Sequence, residues 1–133
     1  MDESLAQEVR DRAGGTCEYC RLPDSLHDIP FEIDHAVAIK HHGPTVSSNL
    51  VYSCLRCNRH KGTDLTGFDP KTRKLTRLFN PRRHIWSRHF RWVGPLLVGR
   101  TAVGRTTVDV LDTNDPTRLA LRQQLITEGV FPP

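Results

Sequence analysis

Four cysteines in two matching pairs constrain this chain more than any other feature. Cys17 and Cys20 form one C-x2-C, Cys54 and Cys57 the other. Two intervening residues let a turn aim both sulfurs at one ion, and two such pairs suit a tetrahedral Zn2+ held by four thiolates at ~2.3 Å. Two disulfides or four reduced thiols are the alternatives. Stable disulfides do not suit a cytosolic chain, and no thioredoxin-like βαβ pattern marks the pairs as redox motifs. An all-thiolate site is closed, so its ion would be structural and would staple two distant segments. Residues 21–53 lie between the pairs. That is more than a simple ribbon needs, so the chain inserts something there.

The insert reads as strand, loop, strand. Residues 31–39 are rich in apolar and β-branched side chains, which favours a strand. His41, His42, Gly43 and Pro44 break it, and residues 49–52 lead into the second knuckle. Residues 58–62 look like the start of a short helix. The expected layout is ββα, pinned at its base by the metal. Within the first strand sit Asp34 and His35, an ionisable pair that is costly to bury without partners.

The chain here resembles the HNH nuclease family. The matching residues are Cys17 and Cys20, Asp34 and His35, His42 and Gly43, Asn49 and Leu50, Cys54 and Cys57, then Asn58, Lys61 and Gly62. No single element would suffice; their order carries the likeness, over about residues 12–65. The chain is also similar to small stand-alone bacterial HNH proteins in Phe79, Asn80, Pro81, Arg82, Trp86, His89, Phe90, Trp92 and a stretch at Gly104, Arg105, Thr107 and Val108. The resemblance implies an α+β fold: a ββα-metal (His-Me finger) core stapled by the four-cysteine zinc site. An N-terminal helix and a C-terminal hairpin with helices would be added to it.

The resemblance also implies a metal-dependent endonuclease. His35 can act as general base, since an imidazole titrates near working pH. Asp34 can ligate Mg2+ or Mn2+ through oxygen. By the resemblance Asn58 is the second protein ligand, and Asn49 bonds loop backbone and orients His35. Asp34 and His35 point to opposite faces of a strand, so both reach one phosphate only where the strand kinks or ends. Some members carry His where this chain has Asn58. His60 is then a lesser candidate ligand, on a different side of the helix from Asn58. Arg59 and Lys61 could bind non-scissile phosphate oxygens. His41 and His42 read as loop histidines, with His42 able to approach substrate, and His27 as a surface residue.

Charge is distributed unevenly. Residues 1–34 hold nine acids and three Lys/Arg, whereas 71–105 hold ten Lys/Arg and no acid. Such a segment attracts a polyanion. His84, Trp86, His89, Phe90 and Trp92 are interleaved with its arginines, a pattern that suits nucleic acid as well as a core. Arg82, Arg83, Arg88 and Arg91 are the candidate contacts to double-stranded DNA, mostly through its backbone. Double-strand cutting from one small site would suggest a homodimer.

The rest of the chain adds modest elements. Residues 4–13 read as a helix on Leu5 and Val9, 63–74 as a loop, 89–98 as a hairpin about Gly94 and Pro95, and 104–111 as a short helix. A helix opens at Asp115 and Pro116, with Leu119, Leu121, Leu125 and Ile126 as its apolar stripe. With 133 residues and 37% hydrophobic content, one domain (1–133, core about 12–65, basic extension 66–133) is expected. No apolar run is long enough to span a membrane. The N-terminus lacks the basic start and apolar centre of a secretory signal, so a cytoplasmic protein is the expectation. A non-catalytic zinc module that binds nucleic acid and a protein-interaction domain are the rival functions. The first leaves Asp34, His35, Asn49 and Asn58 unexplained.

Overall fold

The computed structural model describes residues 1–133 except His27 and Ile29; the surface expectation for His27 lies outside the described residues. Two units separate by their internal contacts: Met1–Asp64 with Asn80–His84, and Leu65–Phe79 with Ile85–Pro133.

In the first unit, Asp2 Oδ1 accepts from Ser4 N at 2.7 Å and caps α1 (Glu3–Ala13), which Gly14 ends in the left-handed region (φ 63°). Ala6 and Val9 are buried while Leu5 is only half-buried, so the helix packs on small side chains against the strands that follow. β1 (Glu32–His35) pairs antiparallel with β2 (Leu50–Ser53), Asp34 opposite Val51 and His35 opposite Leu50. The strand expected over 31–39 therefore stops at His35. The Asn49 side chain takes over the backbone of Val37 there: Val37 N donates to Asn49 Oδ1 at 2.9 Å, and Asn49 Nδ2 to Val37 O at 3.0 Å. α2 (Leu55–Lys61) follows β2 and packs against β1. It begins three residues earlier than expected because Cys54 serves as its N-cap, with Sγ accepting from Cys57 N at 3.4 Å.

The second unit holds two hairpins and three helices. β3 (Thr66–Phe68) pairs with β4 (Leu75–Arg77), where a loop was expected over 63–74. A strand of three residues is too short for alternation to reveal it. Gly67 at its centre is required by packing, since a Cβ there would lie 2.6 Å from Val110 Cγ2. α3 (Trp86–His89) leads into the β5 (Phe90–Val93) and β6 (Leu96–Gly99) hairpin, turned at Gly94 (φ 55°) as expected. α4 (Ala102–Val110) and α5 (Pro116–Thr127) match the two expected helices, and Asp115 caps α5 through Thr117 N and Arg118 N.

Of the aromatics that the sequence left divided between core and nucleic acid, Phe90 is buried and Trp86 and Trp92 are half-buried. Trp86 lies tilted against Phe90 (5.2 Å) and Trp92 (5.7 Å), and Phe79 meets Phe90 edge-on at 5.1 Å. α5 turns Arg118, Arg122 and Leu125 inward, and leaves Leu119, Leu121 and Ile126 half-buried. Arg122 is wholly buried. It donates to Pro95 O (2.7 Å), Thr113 O (2.8 Å) and Asn114 Oδ1 (2.9 Å), and its guanidinium lies 5.4 Å from the Trp92 ring centre.

The C-terminal likeness thereby acquires a structural account. Gly104 permits close approach, since a Cβ would lie 2.0 Å from His89 O. Arg105 grips buried Asp69 through both carboxylate oxygens, at 3.0 and 2.7 Å. Thr107 Oγ1 accepts from Phe79 N at 2.8 Å. Among the described residues no helix is long and apolar enough to cross a membrane.

Candidate metal centre and cleft

The two knuckles converge within the first unit. All four sulfurs lie within 4.8 Å of one another and all four cysteines are buried; Cys20 Sγ and Cys54 Sγ are 3.8 Å apart. Tetrahedral bonds of ~2.3 Å imply sulfur–sulfur edges of about 3.8 Å, so the donor set fits a zinc ion. Burial alone would raise the Cys17 pKa, but the Cys20, Cys54 and Cys57 thiols overcome it and hold it well below the usual thiol value. The Cys54 thiol is held down too, whereas those of Cys20 and Cys57 are pushed up by their sulfur neighbours; metal binding requires all four to give up their protons. The first knuckle is fastened to β2: Glu18 N donates to Tyr52 O at 2.9 Å and Tyr52 N to Glu18 Oε2 at 2.8 Å.

β1 ends at His35, and that ending frees both members of the Asp34–His35 pair to face one opening. Asp34, His35 and Asn58 line a cleft of about 300 Å³, with Ala38, Ile39, Lys40, Gly62 and Thr63 completing the wall. The strand supplies the acid and the imidazole; α2 supplies the carboxamide. Asp34 and Asn58 are half-buried, and both present oxygen, the donor that hard divalent cations prefer. The chemistry of this donor pair therefore suits such a cation.

His35 is held by a neighbour the sequence did not disclose. Its Nε2 lies 2.8 Å from Thr45 Oγ1. Asn49 sets the loop between them: besides bonding Val37 it donates to Pro44 O at 2.9 Å, while Ala36 N donates to Asn49 O at 2.8 Å. Gly43 explains itself in the same loop, since a Cβ there would lie 1.7 Å from Val37 O. His41 Nε2 lies 3.1 Å from Thr63 O. His42 is exposed, with φ 66°, and His60 is exposed and absent from the cleft wall.

Two candidate phosphate contacts are corrected by their surroundings. Lys61 is 3% exposed, and its Nζ finds no hydrogen-bond partner among the described residues. Burial lowers its pKa, while the nearby Asp34 and Asp64 carboxylates oppose that. Its ammonium is turned inside and is not offered at the surface as a phosphate contact. Arg82 pairs with buried Glu18. The amphipathic spacing of a short helix cannot announce a buried lysine, and composition treats every arginine as surface. Arg59, Arg83, Arg88 and Arg91 are exposed.

Residues missed from sequence are Thr45, Glu18 and Glu32. Only Glu32 had a readable signal: it stands two before Asp34 on a strand, hence on the same face. Asn58 Nδ2 donates to Glu32 Oε2.

Residues 17–64 match the family described as HNH endonuclease. The chain is 30% identical over 118 residues to the Septu protein PtuB of Bacillus thuringiensis, across 87% of this chain and 43% of that protein. It thus spans less than half the length of that relative. No solved structure gives a significant match.

Proposed function

We propose that the chain, whose residues 17–64 match the HNH endonuclease family, is a metal-dependent endonuclease hydrolysing DNA phosphodiester bonds. One observation carries the reading: Asp34, His35 and Asn58, from two different elements, line the same cleft. In this reading β1, β2 and α2 form a ββα-metal (His-Me finger) core, and the four thiolates hold a structural Zn2+.

Asp34 and the Asn58 carbonyl oxygen would hold Mg2+ or Mn2+. When bound, that cation supplies Lewis-acid stabilisation of the phosphate and of the departing 3′ oxygen. His35 takes the proton from the attacking water. Its Nε2 is engaged by Thr45 at 2.8 Å, which leaves Nδ1 as the nitrogen that accepts the proton. Asn49 keeps the loop bearing Thr45 in place and so keeps the imidazole aimed. Arg59 on α2 is exposed and available to a phosphate, and Arg83, Arg88 and Arg91 offer further backbone contacts. One cleft per chain cuts one strand, so cutting both strands would require two copies.

A plasmid-nicking assay with Mg2+ or Mn2+ tests this directly. Wild type is expected to nick, and His35→Ala to lose activity by about 100-fold or more, the scale of a general base. DNA that is bound but uncut with every metal would favour a non-catalytic zinc module. DNA that is not bound would favour a protein-interaction domain.

A further inference from the structure

Glu32 and Asp34 leave β1 on the same face, two residues apart, and α2 packs against that strand. Asn58 Nδ2 donates to Glu32 Oε2. The two ends of an asparagine amide differ in what they can do for a cation. Its oxygen is a ligand; its NH2 has no available lone pair and carries partial positive charge. The torsion that exchanges them is broad and roughly two-fold, so an unrestrained asparagine samples both orientations. A carboxylate removes that freedom because it only accepts hydrogen bonds. Whichever way the amide would otherwise settle, its NH2 must face Glu32 and its oxygen must face away.

We infer that Glu32 is a positioning residue: its carboxylate locks the Asn58 amide so that the carbonyl oxygen, together with Asp34, is presented to a divalent cation in the cleft. The inference rests on the cation reading proposed above. Glu32 is exposed, so its service to the core is small. Its value lies in the orientation of one neighbour, and that gives it a signature of its own. Its effect passes entirely through Asn58.

Mn2+ binding to the zinc-loaded protein, read from the electron paramagnetic resonance signal of free Mn2+, tests this without relying on turnover. Glu32→Ala is expected to weaken binding about tenfold, the usual effect of removing a residue that orients a ligand. Asn58→Ala should weaken it at least as much, and the double variant should bind no worse than Asn58→Ala alone. Glu32→Gln should fall between wild type and Glu32→Ala, because its amide meets Asn58 in either orientation. Unchanged zinc content and melting temperature establish that each variant is folded. If Glu32→Ala weakens binding equally with and without Asn58, Glu32 acts by charge or as a ligand and the inference is overturned. A Glu32→Gln loss equal to that of Glu32→Ala overturns it likewise. Should wild type neither bind Mn2+ nor nick DNA, the nuclease reading fails and takes this inference with it. Should wild type do both while Glu32→Ala binds normally, only the inference fails.

Discussion

Asn49 shows how much of the site depends on a residue that need never touch substrate. It is buried, and its amide makes one bond as acceptor and two as donor to the loop between β1 and β2. Asn49→Ala is expected to cost about 2–3 kcal/mol, because backbone groups lose their partners. Any nicking activity should fall by roughly 100-fold, because His35 loses its aim; urea melts and initial rates check the two parts. The sequence carried this role through family likeness. It could not reveal Thr45, since no spacing rule links a loop threonine to a strand histidine ten residues earlier. Asp69 makes a second residue-scale case. Arg105, foremost, with help from Lys71 N and Thr72, holds its carboxyl well below the usual carboxylate range. A depressed folded pKa stabilises above the unfolded value of about 3.9 and is lost as pH falls through the folded value. The stability difference between wild type and Asp69→Asn should therefore stay constant from pH 7 to about 5 and shrink below about 4. Urea melts across that range measure it, and a difference that persisted unchanged to pH 2 would contradict the pairing.

At the scale of elements, the knuckles and α2 are one device. Cys54 is at once a cluster sulfur and the N-cap of α2, so the segment that closes the cluster also starts the helix that carries Asn58. Removing the metal should therefore loosen the helix as well as the knuckles. Hydrogen exchange after chelation is expected to show lost protection across residues 16–23 and 54–62, with α4 and α5 retaining theirs. Equal protection with and without chelator would contradict a metal-held core. The paired spacing made this device legible in sequence, because ligand geometry is local. The hairpins and helices at Gly94 and Asp115 were legible for the same reason. What stayed hidden was long-range. The strand β3 exists only through its partner β4, and Arg122 is buried only because three distant oxygens and an indole surround it. The interleaving of tryptophans with arginines reads alike for a nucleic-acid face and for a core that swallows one arginine.

For the whole molecule, the excess of cations in 71–105 is only partly available to a partner. Arg82 and Arg105 are committed to Glu18 and Asp69, whereas Lys71, Arg73, Lys74 and Arg77 are exposed with Arg88 and Arg91. Binding through these to DNA backbone should weaken steeply and linearly in a plot of log affinity against log salt; a flat plot would remove the electrostatic basis. Charge alone, however, says nothing about cleavage. The proposed cleavage needs a second ion, distinct from that of the thiolates and bound through oxygen in the cleft of the first unit. Anomalous scattering from crystals of the zinc-loaded protein grown with Mn2+ tests that claim most directly. The expected result is a zinc peak among Cys17, Cys20, Cys54 and Cys57 and a separate manganese peak between Asp34 and Asn58. Full zinc occupancy with no manganese at Asp34 and Asn58, at Mn2+ concentrations that support DNA cleavage, would contradict it.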